Sequence, residues 1–360
     1  MKIDNVSSKT LILLIFFNLP QQALSQTPSE LASLSLHDLM GLNIYDDASD
    51  TAAKTGSRWN VGYGYQRLRL DGYRTGTSNL SDQAVIFKPL EEPRTAKNYP
   101  VLPTTITQEI HTFNLNYQLN DDFQIGITAP YILQGTDHNS SIPNFDTFTI
   151  KNEGVGDVSL NVRYQLPSPY WKLSVALSLP TGSIKERGDT PRNGAGTKEQ
   201  LPYTMQLGSG TYDLPLSIQY TDRDDNFHYG MQANALIRVG KNSESYRLGN
   251  TYGINSWVRW MTEYGLHPGI SLGYRHSEKI HGMDSSLTVP GAFPYPANIT
   301  DPNNYGGDKV DLGFSVKVCS KATNCKYFVE LNMSKAVYQN LNGIQIKENF
   351  KFGFMTGINF

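Results

Sequence analysis

Two histidines and a methionine are the residues whose types best suit chemistry in this 360-residue sequence. His276, His281 and Met283 lie close together in or beside a late Pro- and Gly-bearing loop, with Asp284 next to them. Imidazole and thioether groups favour copper. However, metal ligands usually have two or three residues between them in the sequence, and His276, His281 and Met283 do not have this spacing. We therefore predict no metal and no cofactor, and keep His276, His281 and Met283 as the weaker, metal-binding alternative.

A histidine two residues from a serine, in His138-Asn139-Ser140, is the nearest approach to a catalytic pair. Both residues fall in a loop with no strand alternation, whereas a nucleophile needs an oriented base on a rigid element. The sequence contains no phosphate-binding loop, dinucleotide-binding glycine set or cysteine-based zinc motif. Its formal charge of −2 gives no reason to expect nucleic acid as a partner. We predict a protein that is not an enzyme and has no catalytic residue.

Nine charged residues lie in alternating apolar segments, each at a position between the apolar side chains. They are Arg163, Lys172, Arg238, Arg259, Arg275, Lys317 and Lys351, with Asp311 and Glu330. If the apolar positions meet lipid, these nine side chains line a lumen, and the basic excess raises the local concentration of anions. The alternative is that they pair with one another or with loop acids and fill the interior. The number of strands does not decide between these outcomes.

The elements that must position these residues are strands, and the last eleven residues show this most clearly. Mostly apolar side chains occupy every second position from Phe350 to Phe360, with small or polar residues between them. A period of two predicts a β-strand. In a soluble sandwich this strand would leave a bulky apolar edge that is prone to aggregation. Lipid can cover it if the strand pairs on both sides in a closed barrel.

Eleven further segments alternate in the same way, and their connections are long and short in strict turn. The longest predicted loops are residues 71–105, 134–153, 181–208 and 277–308. Outer-membrane barrels have an even number of strands, short periplasmic turns and longer extracellular loops. Aromatic residues suited to interface girdles lie near the predicted strand ends: Trp59, Tyr131, Trp171, Trp260, Tyr274 and Tyr327. We predict an all-β fold, an antiparallel transmembrane β-barrel of twelve strands over residues 57–360, with short periplasmic turns and long extracellular loops.

Residues 1–25 have the three parts of a secretory signal peptide, with Lys2 and Lys9 before an apolar core and a small-x-small cleavage site at its end. The apolar core is too short to span a bilayer. A hydrophobic content of 39% and a mean hydropathy of −0.41 exclude a helical membrane protein. Residues 26–56 are predicted to form a periplasmic N-terminal segment with a short helix, either a plug or a solvated leader without a role. We predict export and location in the Gram-negative outer membrane.

Cys319 and Cys325 are the two cysteines, and they bracket one short turn. In an oxidising periplasm a disulfide across the turn is one outcome. Two buried free thiols are the other, since spacing alone does not establish the Cα geometry that a disulfide needs.

Three segments resemble an outer-membrane family. Residues 154–182 resemble the Gly-x-Gly-Asp strand and closing Pro-Thr-Gly of the family named after the meta-pathway of phenol degradation. Residues 207–220 and 337–345 are similar to segments of "transporter" proteins in that broad group. The last strand also resembles the closing strand of bacterial barrels, whose C-terminal aromatic residue, here Phe360, is read by the barrel-assembly machinery. The resemblance implies an outer-membrane barrel that admits small hydrophobic or aromatic compounds, and it supplies no binding residues.

These observations predict an outer-membrane channel for the passive uptake of a small solute, either aromatic and hydrophobic or anionic. Its expected partners are outer-membrane lipid, the barrel-assembly machinery and the solute. The alternative is a non-conducting barrel whose extracellular loops bind a partner or a metal ion.

Overall fold

The computed structural model describes residues 58–192, 197–320 and 326–360. The predicted signal peptide, the segment 26–56 and Cys325 lie outside the described residues. No helix within the described ranges has the length and apolar character needed to cross a membrane.

The described chain is almost entirely β-strand. The strands are β1 (Trp59–Gly76), β2 (Ser78–Leu80), β3 (Val101–Gln118), β4 (Phe123–Ser140), β5 (Thr147–Val155), β6 (Val158–Gln165), β7 (Trp171–Leu179), β8 (Arg187–Asp189), β9 (Lys198–Gln200), β10 (Tyr212–Arg223), β11 (Phe227–Val239), β12 (Tyr246–Arg247), β13 (Thr251–Trp260), β14 (Leu266–Ser277), β15 (His281–Gly282), β16 (Gly307–Cys319) and β17 (Tyr327–Asn359). One short helix, α1 (Asp82–Val85), and 3₁₀ turns at Tyr203–Met205, Ser285–Leu287 and Asn298–Thr300 lie in the loops.

Eleven of these strands form a closed antiparallel wall. Neighbours follow the order β1, β3, β4, β6, β7, β10, β11, β13, β14, β16 and β17, and β17 pairs back with β1. The strands β2 and β5 extend the wall at one end, while β8 pairs with β9 and β12 with β15 in the loops. The predicted all-β closed barrel is therefore confirmed. A closed sheet has no free edge along its wall.

The predicted count of twelve differs from these eleven because of the last strand, β17, which is 33 residues long. Its first part, Phe328–Leu341, pairs with β16, and its later part, up to Asn359, pairs with β1. Between the two parts Gly343 has a φ of +53°, in the left-handed region that suits glycine in a tight turn. The sequence predicted a loop before Phe350, and the structure continues the strand there.

Several predicted loops are also shorter than expected because the strands run on beyond the apolar segments. β1 reaches Gly76 and β3 begins at Val101, while β4 reaches Ser140 and β5 begins at Thr147. His138 and Ser140 therefore lie on a strand and not in a loop. These extensions carry mostly polar side chains and stand beyond the apolar band of the outer face, so the apolar alternation did not reveal them.

The outer face of the wall carries a continuous apolar band bounded by aromatic residues. Exposed rings stand eight residues apart on single strands, as Tyr252 and Trp260 do on β13. Eight residues span about 27 Å along a strand at about 3.4 Å per residue, or about 21 Å along the axis at a tilt of about 40°. This height is close to the apolar band of roughly 25 Å in membrane barrels. The predicted girdle residues Trp59, Trp260 and Tyr327 are exposed, as a girdle requires.

The two ends of the barrel differ. At the short-turn end, which holds Trp59 and Phe360, the backbones of these two residues hydrogen-bond each other at 2.8 and 2.9 Å. Nearby, buried amides bond across the interior: Asn116 donates to Asn60 at 3.0 Å, and Asn60 donates to Asn359 at 3.0 Å. Each of these two bonds satisfies a buried donor and a buried acceptor, as most buried polar groups require.

At the opposite, long-loop end, the connecting segments fold inward over the barrel. We term residues 77–100, 180–192, 197–211, 240–250 and 278–306 the cap. Buried cap residues such as Tyr99 and Ile299 belong to one apolar cluster with Leu68 and Ile106 of the wall. Three tyrosines form a second cluster, with the ring of Tyr203 4.8 Å from that of Tyr246 and 5.8 Å from that of Tyr305.

Polar contacts also fix the cap. The amide nitrogen of Asn304 donates to the hydroxyl of Tyr99 at 2.8 Å, and its oxygen accepts from the backbone of Ile344 at 3.0 Å. Burial raises the pKa of Tyr99 to about 12, so its hydroxyl stays protonated at any physiological pH. The cap is thus a packed structure and not a set of solvated loops.

The Gly-x-Gly-Asp and Pro-Thr-Gly segments meet in this structure as a clamp on the cap. Asp157 accepts hydrogen bonds from the backbone of Gly182 at 2.9 Å and from the backbone and hydroxyl of Ser209 at 2.7 and 2.8 Å. A Cβ on Gly182 would lie 2.7 Å from the Cα of Gly208, so only glycine permits these two cap segments to pass this closely. The segments that carry the family resemblance are therefore structural.

We expect Asp157→Asn to loosen the cap between residues 181 and 211. Hydrogen bonds to a charged acceptor contribute about 1.5–3 kcal/mol each, and an asparagine nitrogen would oppose the donors of Ser209. A loss of about 2 kcal/mol raises the opened population about thirtyfold. Limited proteolysis of the full-length protein in detergent should show this as faster cleavage in the cap. The exposed control Asp146→Asn should be cut at the native rate, and equal rates for both variants would contradict the clamp.

Candidate functional site: the charged barrel interior

The nine charged residues predicted to line a lumen all lie on the inner face of the wall. Arg163, Lys172, Arg238, Arg259, Arg275, Lys317, Glu330 and Lys351 are buried, and Asp311 is partly buried. Their neighbours along each strand are exposed apolar residues, such as Leu173 beside Lys172 and Val258 beside Arg259. The alternation along each strand gives them this position.

A carboxylate that the sequence analysis did not single out, Glu348, is the centre of the largest ion-pair cluster. It accepts from Arg275 and Lys309 at 3.0 Å each and from Lys351 at 2.8 Å. Lys351 also lies 3.5 Å from Asp311. We term these five residues the upper cluster. It holds three cations and two carboxylates, so it keeps a surplus of one positive charge.

A second group of charges lies nearer the short-turn end. Arg259 donates to Glu330 at 2.7 Å, with both side chains almost fully buried. Further down, the ammonium of Lys317 lies 4.5 Å from the centre of the Phe328 ring, within the range of a cation–π contact.

A further ion pair lies at the long-loop end of β10 and β11. Arg238 of β11 pairs with Asp213 of β10, whose other oxygen accepts from the hydroxyl of Thr211 at 2.7 Å. The side chain of Asp213 is fully buried, and Arg238 is the charge that compensates it. Arg163 of β6 and Lys172 of β7 lie near the other, short-turn end of their strands.

Asp213, Lys309 and Glu348 complete the interior charges and were missed by the sequence analysis. Each lies just outside a predicted strand. Asp213 and Lys309 continue the inward alternation of Ser217 and Lys317, and extending each strand outward would have found them. Glu348 is harder to find, because the register of β17 with β1 shifts between Phe350 and Glu348.

The named interior charges comprise eight bases and four acids, a surplus of four positive charges. All four of these acids pair with bases, and the basic excess persists. Such an excess gives the interior a positive potential.

Between the upper cluster and the Arg259–Glu330 pair lies a cavity of about 170 Å³. It exists because inward positions of β13, β14 and β16 carry small residues: Gly253, Gly269, Ser271, Gly273, Gly313 and Ser315. Its wall includes both charge groups, through Arg275, Lys351, Arg259 and Glu330, together with Trp257. This cationic, partly apolar space is the candidate functional site.

The metal candidates do not form a common site. His276 bonds Asp308 at 2.9 Å, His281 bonds Glu278 at 3.2 Å, and the sulfur of Met283 lies 3.8 Å from the hydroxyl of Tyr295. Among the described residues no group of three or more His, Cys, Asp or Glu is placed to hold a metal ion. Cys325, the predicted disulfide partner of Cys319, lies outside the described residues.

His138 and Ser140 likewise have separate contacts. The ring of His138 is buried and stacks on Phe148 with centroids 4.4 Å apart. The hydroxyl of Ser140 accepts a hydrogen bond from the backbone of Ile142 at 3.0 Å. Both contacts are those of a structural strand end.

A closed antiparallel wall with an apolar outer band and a polar interior defines the fold of an outer-membrane β-barrel. The chain is similar to the crystal structure of the COG4313 outer membrane channel from Pseudomonas putida F1, with a TM-score of 0.52 and 16% identity over 84% of this chain and 96% of that chain. A Pseudomonas aeruginosa FadL homologue has a TM-score of 0.43 and 10% identity over 94% and 99% of the two chains. The Pseudomonas putida toluene transporter TodX has a TM-score of 0.40 and 9% identity over 93% and 96%.

No family model matches the sequence, and no curated protein matches it. The likeness to the first of these structures supports the barrel fold. The family suggested by residues 154–182 is not confirmed.

Proposed function

We propose that the protein is an outer-membrane channel through which small anionic solutes pass into the periplasm without chemical change. The single observation that carries this proposal is the surplus of four positive charges on the inner wall of the barrel, some of which line the cavity. A cationic lumen in a low-dielectric wall concentrates anions and excludes cations.

The topology follows from the same proposal. The short-turn end, with Trp59 and Phe360, faces the periplasm, and the cap faces the outside. The two parts of β17 cross the membrane separately, which gives the barrel twelve crossings and an even number, as both chain ends on one side require. Residues 1–25 act as a cleaved signal peptide, and Phe360 closes the strand that the assembly machinery reads.

The alternative is a barrel that does not conduct and whose outer surface binds a partner. The packing of the cap favours it, since the apolar and tyrosine clusters lie over the long-loop end of the interior. Electrical measurement separates the two functions.

We expect the purified mature protein to give discrete conductance steps in planar bilayers. In a potassium chloride gradient the reversal potential should have the sign set by chloride, because the lumen carries a positive surplus. The preference for chloride should weaken as the salt concentration is raised from about 0.1 to 1 M, since the electrostatic screening length falls from about 10 to about 3 Å. Silence at all voltages would favour the non-conducting barrel, and a reversal potential set by potassium would contradict the anionic solute.

A further inference from the structure

The cavity combines two kinds of surface that a simple anion filter does not need. Its lining includes the cations Arg259, Arg275 and Lys351. It also includes two buried apolar groups, the indole of Trp257 and the thioether of Met355. Most other inward positions around the cavity carry amides, carboxylates or small residues, so these two large apolar side chains give it a second kind of surface.

The position of Trp257 is built by its neighbour. A Cβ on Gly230 would lie 2.4 Å from the six-membered ring of Trp257, so the indole lies over the bare backbone of β11. Glycine at this position lets the ring lie close to the wall. The ring is then a platform that lies against the backbone of the wall.

The strand register places this platform between the two charge groups. Trp257 pairs with Ser271, Arg259 with Gly269, and Gly253 with Arg275. Trp257 and Arg259 are two positions apart on β13. Gly253, which pairs with Arg275, is four positions from Trp257. At about 3.4 Å per residue these offsets are about 7 and 14 Å. A guanidinium group can therefore meet one end of a small molecule whose other end lies on the indole.

Size and unsatisfied polar atoms point the same way. A buried cavity of about 150 Å³ is large enough for benzene, and the volume here is about 170 Å³. Among the described residues, the side-chain oxygen of Asn234 and the side-chain nitrogen of Asn332 are buried in the cavity wall without a hydrogen-bond partner. A polar ligand or ordered water can satisfy these atoms.

We propose that the cavity is a binding site for small carboxylates that carry one planar ring, with the ring on Trp257 and the carboxylate toward Arg259 or Arg275. This inference rests on the proposed function for its route of entry and names the solute class of the same lumen. Aromatic stacking supplies the ring contact, and a guanidinium is the side chain suited to a carboxylate. A plain small anion uses the charges alone and binds more weakly.

The test is isothermal titration of the full-length protein in detergent with benzoate, acetate and benzyl alcohol. We expect benzoate to bind at least about tenfold more tightly than either other probe, because it alone uses both surfaces. Trp257→Leu should remove the advantage of benzoate over acetate. The control Trp260→Leu, three residues further on and on the exposed outer face, should keep it.

Equal affinities for benzoate and acetate, or an unchanged preference in Trp257→Leu, would overturn the proposal. Trp257→Phe keeps an aromatic face and should retain most of the preference, which guards against a folding defect in the leucine variant. Bilayer recordings distinguish this failure from that of the proposed function. Chloride conductance without benzoate binding refutes only the ring site, and benzoate binding without conductance refutes only the channel.

Discussion

Replacing Lys309 and Lys351 together by glutamine is expected to abolish most of the preference of the channel for anions. The upper cluster then changes from a surplus of one positive charge to a surplus of one negative charge, since Arg275 remains with Glu348 and Asp311. A unit charge about 8 Å from an ion contributes about 2 kcal/mol at an effective dielectric constant of about 20. Salt screening reduces this contribution.

The expected result is a fall of at least about fivefold in the permeability of chloride relative to potassium, which corresponds to about 1 kcal/mol. The measurement is the reversal potential of the double variant in a salt gradient. Glu348 keeps its bond to Arg275 at 3.0 Å, so the variant retains a partner for its buried carboxylate. An unchanged ratio would show that the upper cluster does not lie on the conduction path.

The matched control removes the same charge from outside the lumen. Lys97 of the cap and Lys151 of β5 are both exposed. The double variant Lys97→Gln, Lys151→Gln should keep the native permeability ratio in the same salt gradient that is used for the interior variant, because exposed charges more than about 10 Å from the conduction path are largely screened at about 0.1 M salt. A loss of selectivity in this control would attribute the effect to the net charge of the protein and not to its interior.

Glu348→Gln is expected to cause the largest loss of stability among single substitutions in the interior. Three cations lie within 3.0 Å of this one carboxylate, in a fully buried position. Removing one partner of a buried pair costs about 3–5 kcal/mol because the opposite charge is left uncompensated. We expect the temperature at which the compact barrel converts to the unfolded form to be clearly lower. Gel electrophoresis of unboiled samples measures this temperature, because the two forms differ in mobility.

A double variant separates this electrostatic cause from a loss of shape. Adding Lys309→Gln to Glu348→Gln removes one of the uncompensated cations, so the double variant should be more stable than Glu348→Gln alone. Glu109→Gln, on the outer face beside Arg67, should have almost no effect, since exposed pairs contribute about 0–1 kcal/mol. Additive losses in the double variant would contradict the role assigned to the upper cluster.

The barrel and the facing of its residues could be predicted from the sequence because both depend on a local property. The alternation from Phe350 to Phe360 shows which side chains share a face. Because one of these faces is apolar and would otherwise form an aggregation-prone edge, pairing of the strand on both sides in a closed barrel follows. The same reasoning placed residues such as Arg163 and Lys317 on the inner wall, where the structure has them. It stopped too early at Asp213 and Lys309, since polar residues beyond the apolar band resemble a loop.

The ion pairs and the cavity could not be predicted in this way. Arg275 and Glu348 are 73 residues apart, and their contact requires the register of β14, β16 and β17 to be fixed together. The small residues around Gly273 and Gly313 are visible in the sequence, but the space that they leave depends on which strands face one another.

The sequence by itself determined the strand period, which end of the barrel carries the short turns, and the excess of basic over acidic residues at the inward positions. Each of these is set by the order of side chains along the chain. Only the tertiary structure decided which acids neutralise which bases, that the long loops pack into a cap, and that Trp257 lies beside the charges over Gly230. Those outcomes depend on closure of the sheet and on one register among many, and neither is encoded within a single strand.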